Sequence, residues 1–201
     1  KLDVGSDKAV FSLFKYPDNR TIAVGGEGFH SVIKTKKNGK SSRVKEFHQI
    51  DGVVWDVLVL EDSHRTTLLA TQEGIYTKSK KQKPILNQKL SSQIGAPCRV
   101  LLERKGKIYI GSVAGLFCLQ NEIITEIFKK NGEQFGYVYS MSLDEEQRLW
   151  VSTLGQGLWK ETKKGFEHPP SNLTNQKGNT YASLQIAEGR VISQNENLIL
   201  H

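Results

Sequence analysis

The sequence predicts an all-β chain assembled from one small module used five times. Three observations carry that expectation. The stretch "VYSMSLDEEQRLWVSTLGQGLWK", Val138 to Lys160, reads as strand, polar turn, strand, glycine turn and strand within twenty-three residues. Four further segments repeat its plan. The turn residues Gly28, Gly74, Gly115, Gly157 and Asn197 are spaced 46, 41, 42 and 40 residues apart. That period is the length of a four-stranded propeller blade.

The segments start at Ala9, Val53, Pro97, Tyr137 and Thr180. Each opens on an apolar strand, "VVWDVLVL" and "YVYSMSL" being the most apolar, as suits strands sandwiched between neighbouring sheets. A short polar turn and a second strand follow, ending near a small or hydroxyl residue. The tight turn then falls on Gly or Asn, which tolerate the positive φ such a turn demands. A third strand leaves it. A fourth is read in "RVKEFHQI", "PILNQKLS", "ITEIFKK" and "GFEH". These are more polar, which suits an outer strand whose edge must resist pairing. The fifth segment stops at its third strand, "LILH", and the chain begins with a lone strand-like "KLDV". The expectation is therefore a single β-propeller domain over 1–201. Its antiparallel four-stranded blades lie near 9–50, 53–91, 97–130, 137–170 and 180–201 plus 1–5, the N-terminal strand completing the last blade. A five-repeat portion of a larger ring would read the same way.

Val138 to Lys160 resembles the two-component regulator propeller repeat. Val138, Ser140, Met141, Asp144, Leu149, Trp150, Val151, Thr153, Gly155, Gly157 and Leu158 follow that family's pattern in order. Ser152 and Gln147 stand where the family has glycine. The pattern weakens to "LLATQEGIY" and "IYIGSVAGLF" and is faint in the outer segments. The resemblance implies a sensory, non-catalytic propeller outside the bacterial cytoplasmic membrane, in the periplasm. It also implies an attached output such as a histidine kinase or diguanylate cyclase. Family rings more often have seven blades than five.

The residues themselves argue against other classes. Trp55-Asp56 resembles the dipeptide of WD-type repeats, but there it ends a third strand and here it opens an innermost one. Five-bladed glycosidases need paired carboxylates. The residue pairs aligned at the tunnel mouth are Phe11-Ser12, Trp55-Asp56, Cys98-Arg99, Tyr139-Ser140 and Tyr181-Ala182. Asp56 is their one acid, and one carboxylate cannot fill both roles. Cys98 and Cys118 sit in apolar settings without metal-ligand spacing. The five histidines fall at unrelated repeat phases. No catalytic residue, metal or cofactor is expected.

The net charge of +7 comes largely from lysine clusters at Lys34–Lys45, Thr77–Pro84 and Lys160–Gly165. They carry few arginines and almost no aromatics, so solvated hairpin ends are expected and not a nucleic-acid surface. No apolar run is long enough to insert in a membrane. A binding module remains. Its partners would be a small molecule, glycan or peptide, with a downstream signalling domain or a second copy of the chain. A protein-interaction scaffold is the alternative. The candidate ligand-binding residues are Phe11, Trp55, Asp56, Arg99, Tyr139 and Tyr181 at the mouth, with Gln49, Gln93 and Gln134 in the connections. Aromatics offer flat apolar faces and amides offer donors and acceptors. Arg99 could receive an anionic group, or pair with Asp56 or Glu103.

Overall fold

The computed structural model describes residues 3–36, 42–80 and 82–169, and the strand backbones of 180–186, 190–195 and 198–199. The chain divides into two compact units, Lys1–Cys98 and Arg99–His201.

The first unit holds β1 (Val10–Lys15), β2 (Thr21–Thr35), β3 (Ser42–Val59), β4 (Thr67–Thr71), β5 (Gly74–Lys78), β6 (Ile85–Leu86) and the helix α1 (Gln88–Ile94). Its strands form one six-stranded sheet in sequence order, not two separate four-stranded sheets. The cause is local. A straight strand the length of β2 would span roughly 50 Å, yet the Thr35 amide donates to the Arg20 carbonyl at 2.8 Å. β2 must therefore fold back on itself, and it does so at Gly28, whose φ is +75°. At that bend Glu27 pairs with Val53, so hydrogen bonding continues from one hairpin set into the next. β3 likewise begins as the partner of β2 and ends as the partner of β4, with Gly52 at positive φ between the two roles.

Two expectations fail in this unit. The fourth strand read in "PILNQKLS" is only the two-residue β6, followed by α1. Asn87 caps that helix by accepting from the Leu90 amide at 3.1 Å, Gly95 closes it in the left-handed region, and Leu90 and Ile94 bury its inner face. Local capping and the i, i+4 apolar pair outweigh strand propensity here. The expected N-terminal strand is not formed either: among the described residues Asp3 and Val4 lie in no strand. The Asp3 amide donates to Ser42 Oγ at 2.8 Å, and Ser42 Oγ donates back to the Asp3 carbonyl at 3.0 Å. Val4 packs on Val24, Phe29 and Ile33. The segment finds the apolar outer part of the first repeat beside it in sequence. Lys1 and Leu2 lie outside the described residues.

The second unit begins in β7 (Cys98–Arg104), which pairs with β8 (Lys107–Ser112). β9 (Leu116–Gln120) and β10 (Ile123–Ile127) complete that four-stranded sheet. The next four-stranded sheet is β11 (Val138–Leu143), β12 (Leu149–Thr153), β13 (Gly157–Thr162) and β14 (Gly165–Glu167). A three-stranded sheet follows, of β15 (Thr180–Ile186), β16 (Arg190–Asn195) and β17 (Leu198–Ile199). All pairings described in these sheets are antiparallel. The core joins Tyr109, Leu116 and Cys118 to Phe135, Val138, Leu149, Val151, Trp159 and Phe166.

Two devices recur. In three repeats a hydroxyl at the end of the second strand donates to the carbonyl of its turn glycine: Thr71 to Gly74 at 2.9 Å, Ser112 to Gly115 at 3.1 Å and Thr153 to Gly157 at 2.7 Å. All three glycines, like Gly28, have positive φ; Asn197 lies outside the described residues. The second device is a close approach. A Cβ on Gly25 would lie 2.7 Å from Val54 Cγ1, and one on Gly111 would lie 2.5 Å from Val138 Cγ1. In each case the second strand of one repeat meets the innermost strand of the next.

Candidate functional site

Four innermost strands carry the same irregularity. Val10 faces Gly26 and Ser12 faces Gly25, leaving Phe11 unopposed. Val54 faces Thr71 and Asp56 faces Ala70, leaving Trp55. Val138 faces Thr153 and Ser140 faces Ser152, leaving Tyr139. Thr180 faces Asn195 and Ala182 faces Gln194, leaving Tyr181. Each extra residue makes a β-bulge, and each is an aromatic that the repeat alignment singles out. Bulges re-aim side chains and are enriched beside functional sites.

In the first unit the bulged pairs meet. The Phe11 and Trp55 rings pack edge to face, with centroids 5.0 Å apart. Ser12 Oγ donates to Asp56 Oδ1 at 2.7 Å. The Val57 amide donates to the same carboxylate oxygen at 2.8 Å and to Ser12 Oγ at 3.2 Å. Asp56 is thus a hydrogen-bonded carboxylate beside an aromatic pair, with Phe11 46% exposed. The turns and connections approach the same strand ends. The Glu27 amide donates to the Ala9 carbonyl at 2.9 Å, and the Gln72 amide to the Val53 carbonyl at 3.4 Å. Lys8, Glu27, Gln49 and Asp51 line an open cleft of about 450 Å³ there.

In the second unit Arg99 lies over the Tyr139 ring, its Cζ 4.4 Å from the centroid. Tyr137 packs beside Tyr139 at 5.9 Å. The guanidinium therefore presents a cation on an aromatic platform. Glu103, considered as its partner, accepts the Gly106 amide at 3.0 Å. Gln156 in the glycine turn accepts the Gly136 amide of the preceding connection at 2.8 Å, and the Leu154 amide donates to the Tyr137 carbonyl at 2.9 Å. Gln72 and Gln156, just before Glu73-Gly74 and Gly157, are site-face residues that the sequence reading missed. Their place beside the repeated turn was the available signal.

The three connection glutamines do not form an equivalent set. Gln49 is a strand residue paired with Phe29. Gln93 is exposed on α1. Gln134 forms an isolated bridge with Phe128. The Tyr181 side chain lies outside the described residues.

The best-matched repeat residues turn out to be framework. Asp144 is 3% exposed. Trp150 Nε1 donates to it at 3.1 Å, and Arg148 donates through its amide at 2.8 Å and Nε at 2.7 Å. Burial alone would raise its pKa, but these donors outweigh it and hold the carboxyl below the usual range. Burial pushes the Cys98 thiol up to about 12, so it is no thiolate nucleophile at neutral pH. Two cluster lysines are also structural: buried Lys78 meets Glu46 at 2.7 Å, and Lys160 lies 4.7 Å over the Trp150 ring. Among the described residues no group of three His, Cys, Asp or Glu side chains is placed to hold a metal ion. No helix among them is long and apolar enough to cross a membrane.

No protein-family model and no curated protein matches the chain. Solved structures do. An extracellular domain assigned to the hybrid two-component system BT3049 of B. thetaiotaomicron matches with a TM-score of 0.65 at 21% identity, over 94% of this chain and 26% of that one. The corresponding domain of BT4673 from the same organism matches at 0.66 and 14% identity, over 94% and 25%. The WD40 β-propeller domain of Doa1 matches at 0.59 and 14% identity, over 92% and 75%. These likenesses give the chain a β-propeller fold. It spans about a quarter of the length of the two extracellular domains. The repeat read in Val138–Lys160 and these fold likenesses agree on the same propeller architecture.

Proposed function

We propose that this chain is a non-catalytic, ligand-binding part of an extracytoplasmic bacterial sensor, its five segments serving as propeller blades. The observation that carries the reading is the repeated bulge, which presents the aromatics Phe11, Trp55 and Tyr139 at equivalent strand ends and recurs in the backbone at Tyr181. In the first unit Asp56 adds an anion beside Phe11 and Trp55, and in the second Arg99 adds a cation over Tyr139. Flat apolar faces beside single polar groups suit a glycan, a peptide or another small molecule. Binding would bias an attached signalling output in the periplasm or beyond the membrane by favouring one packing of the propeller over another. The likeness to two-component extracellular domains supports this role.

Thermal-shift screening against sugars and short peptides tests it. Saturable stabilisation that weakens in Trp55→Ala or Tyr139→Ala supports the reading. Absence of any saturable ligand favours a protein-interaction scaffold instead. Exposed Val10, Phe11 and Leu13 on the innermost β1 favour that second reading, and the Doa1 likeness is compatible with it. A glycosidase is disfavoured because Asp56 is the one acid among the aligned mouth residues. Asp56→Asn would abolish turnover of aryl glycosides if that view were mistaken.

A further inference from the structure

The far ends of the same strands in the first unit carry a separate cavity. It has a volume of about 310 Å³ and lies between the β1–β2 turn and the loop after β3. Phe14, Tyr16 and Val59 supply apolar wall, and Phe14 and Tyr16 pack edge to face at 6.0 Å. Phe11 and Trp55 open these strands; the cavity forms where they close. It is therefore distinct from the mouth described above.

Its polar groups divide into two kinds. Asp18 is committed to its own turn, accepting from the Arg20 amide at 2.9 Å, the Thr21 amide at 2.7 Å and Thr21 Oγ1 at 2.6 Å. Asp62 accepts the Thr66 amide at 2.8 Å and holds the loop. Glu61 and Arg65 also line the cavity, and among the described residues neither side chain takes a hydrogen bond or ion pair. Arg65 is set in the left-handed region at φ 46°, with its amide bonded to the Asp62 carbonyl at 3.1 Å. Opposite charges that share one concave wall without pairing can receive a ligand that carries both signs.

We infer that this cavity is a second binding site, for a small zwitterion of the amino-acid class with an apolar side chain. The ligand ammonium meets Glu61, beside the fixed negative charges of Asp18 and Asp62. The ligand carboxylate meets Arg65, whose planar fork suits bidentate recognition. The apolar side chain lies against Phe14, Tyr16 and Val59. A volume of this size holds one amino acid and excludes a long oligomer.

Isothermal titration of the full chain with L-phenylalanine, L-leucine and L-methionine tests the site. Saturable one-to-one binding of at least one is expected. The N-acetyl derivative of that amino acid loses the ammonium and its C-amide loses the carboxylate; each is expected to bind at least tenfold more weakly. Glu61→Gln and Arg65→Gln, both at exposed positions, are expected to weaken binding by tenfold or more, while Trp55→Ala leaves it unchanged. The inference is overturned if none of the three probes binds saturably, or if binding persists undiminished in Glu61→Gln and Arg65→Gln. Binding lost in Trp55→Ala but kept in those variants overturns it too, by returning the ligand to the mouth.

Discussion

Substituting Gly111 by alanine probes the contact between one repeat and the next. The added Cβ would sit 2.5 Å from Val138 Cγ1, 2.6 Å from Val100 Cγ1 and 3.1 Å from Val138 Cβ. Ordinary carbon contacts lie near 3.5–4.0 Å, so an overlap of about 1 Å must be relieved by moving β8 away from β11. Overpacking of this kind costs about 1–3 kcal/mol. Val138→Ala alone removes two methyl groups from a fully buried site. Transfer and cavity terms together set that cost at about 2 kcal/mol. The double variant returns a methyl to the vacated space, so it should cost about 1 kcal/mol less than the sum of the singles. The assay is urea unfolding followed by fluorescence, Trp150 and Trp159 reporting from the same unit. Additivity within about 0.5 kcal/mol, or a neutral Gly111→Ala, would refute the argued contact.

Other expectations follow from the framework. Burial lowers the His30 pKa to about 4 from 6.5; the chain atoms around it are the Val24 carbonyl and the Lys78, His48 and Glu46 side chains. The unfolded chain then binds the extra proton first, so stability is full above pH 6.5. It should fall as pH drops towards 4, by up to about 3 kcal/mol. Replacing His30 by leucine should flatten that part of the stability–pH curve, measured by urea unfolding at several pH values. Arg104 bridges Glu161, the Tyr109 hydroxyl and the Gln147 carbonyl. Arg104→Met should cost about 2–3 kcal/mol by leaving Glu161 unpaired. Adding Glu161→Met should recover part of that loss in chemical denaturation. Asn87→Ala should cost about 1 kcal/mol through its lost cap and speed amide exchange across Gln88–Ile94.

Much of the fold was legible because the repeat writes its mechanics into residue types. Gly28, Gly74, Gly115 and Gly157 are readable since their backbone needs positive φ, and the hydroxyl before three of them is readable as its carbonyl partner. What escaped the reading was local competition and geometry. Asn87, Leu90, Ile94 and Gly95 spell a short helix, but the repeat period argued for a strand there. Asp3 and Val4 carry no mark of which apolar surface they join, and the nearer one takes them. The mouth aromatics were found by alignment, whereas the bulges that aim them were not. An aromatic followed by a small or polar residue breaks strict alternation at Phe11-Ser12 and Tyr139-Ser140, and that break was the trace of the bulge. The glutamines misled because shared composition hid three different backbones. Glu61 and Arg65 gave no sign, since loop sequence does not say which charges remain unpaired.

Calorimetric titration of a screened sugar or peptide into the wild-type chain and the Trp55→Ala and Tyr139→Ala variants tests the sensing account most directly. Retained unfolding midpoints with at least tenfold weaker binding in one variant is the predicted result. Undiminished affinity in both, for every ligand that binds the wild type, would contradict it.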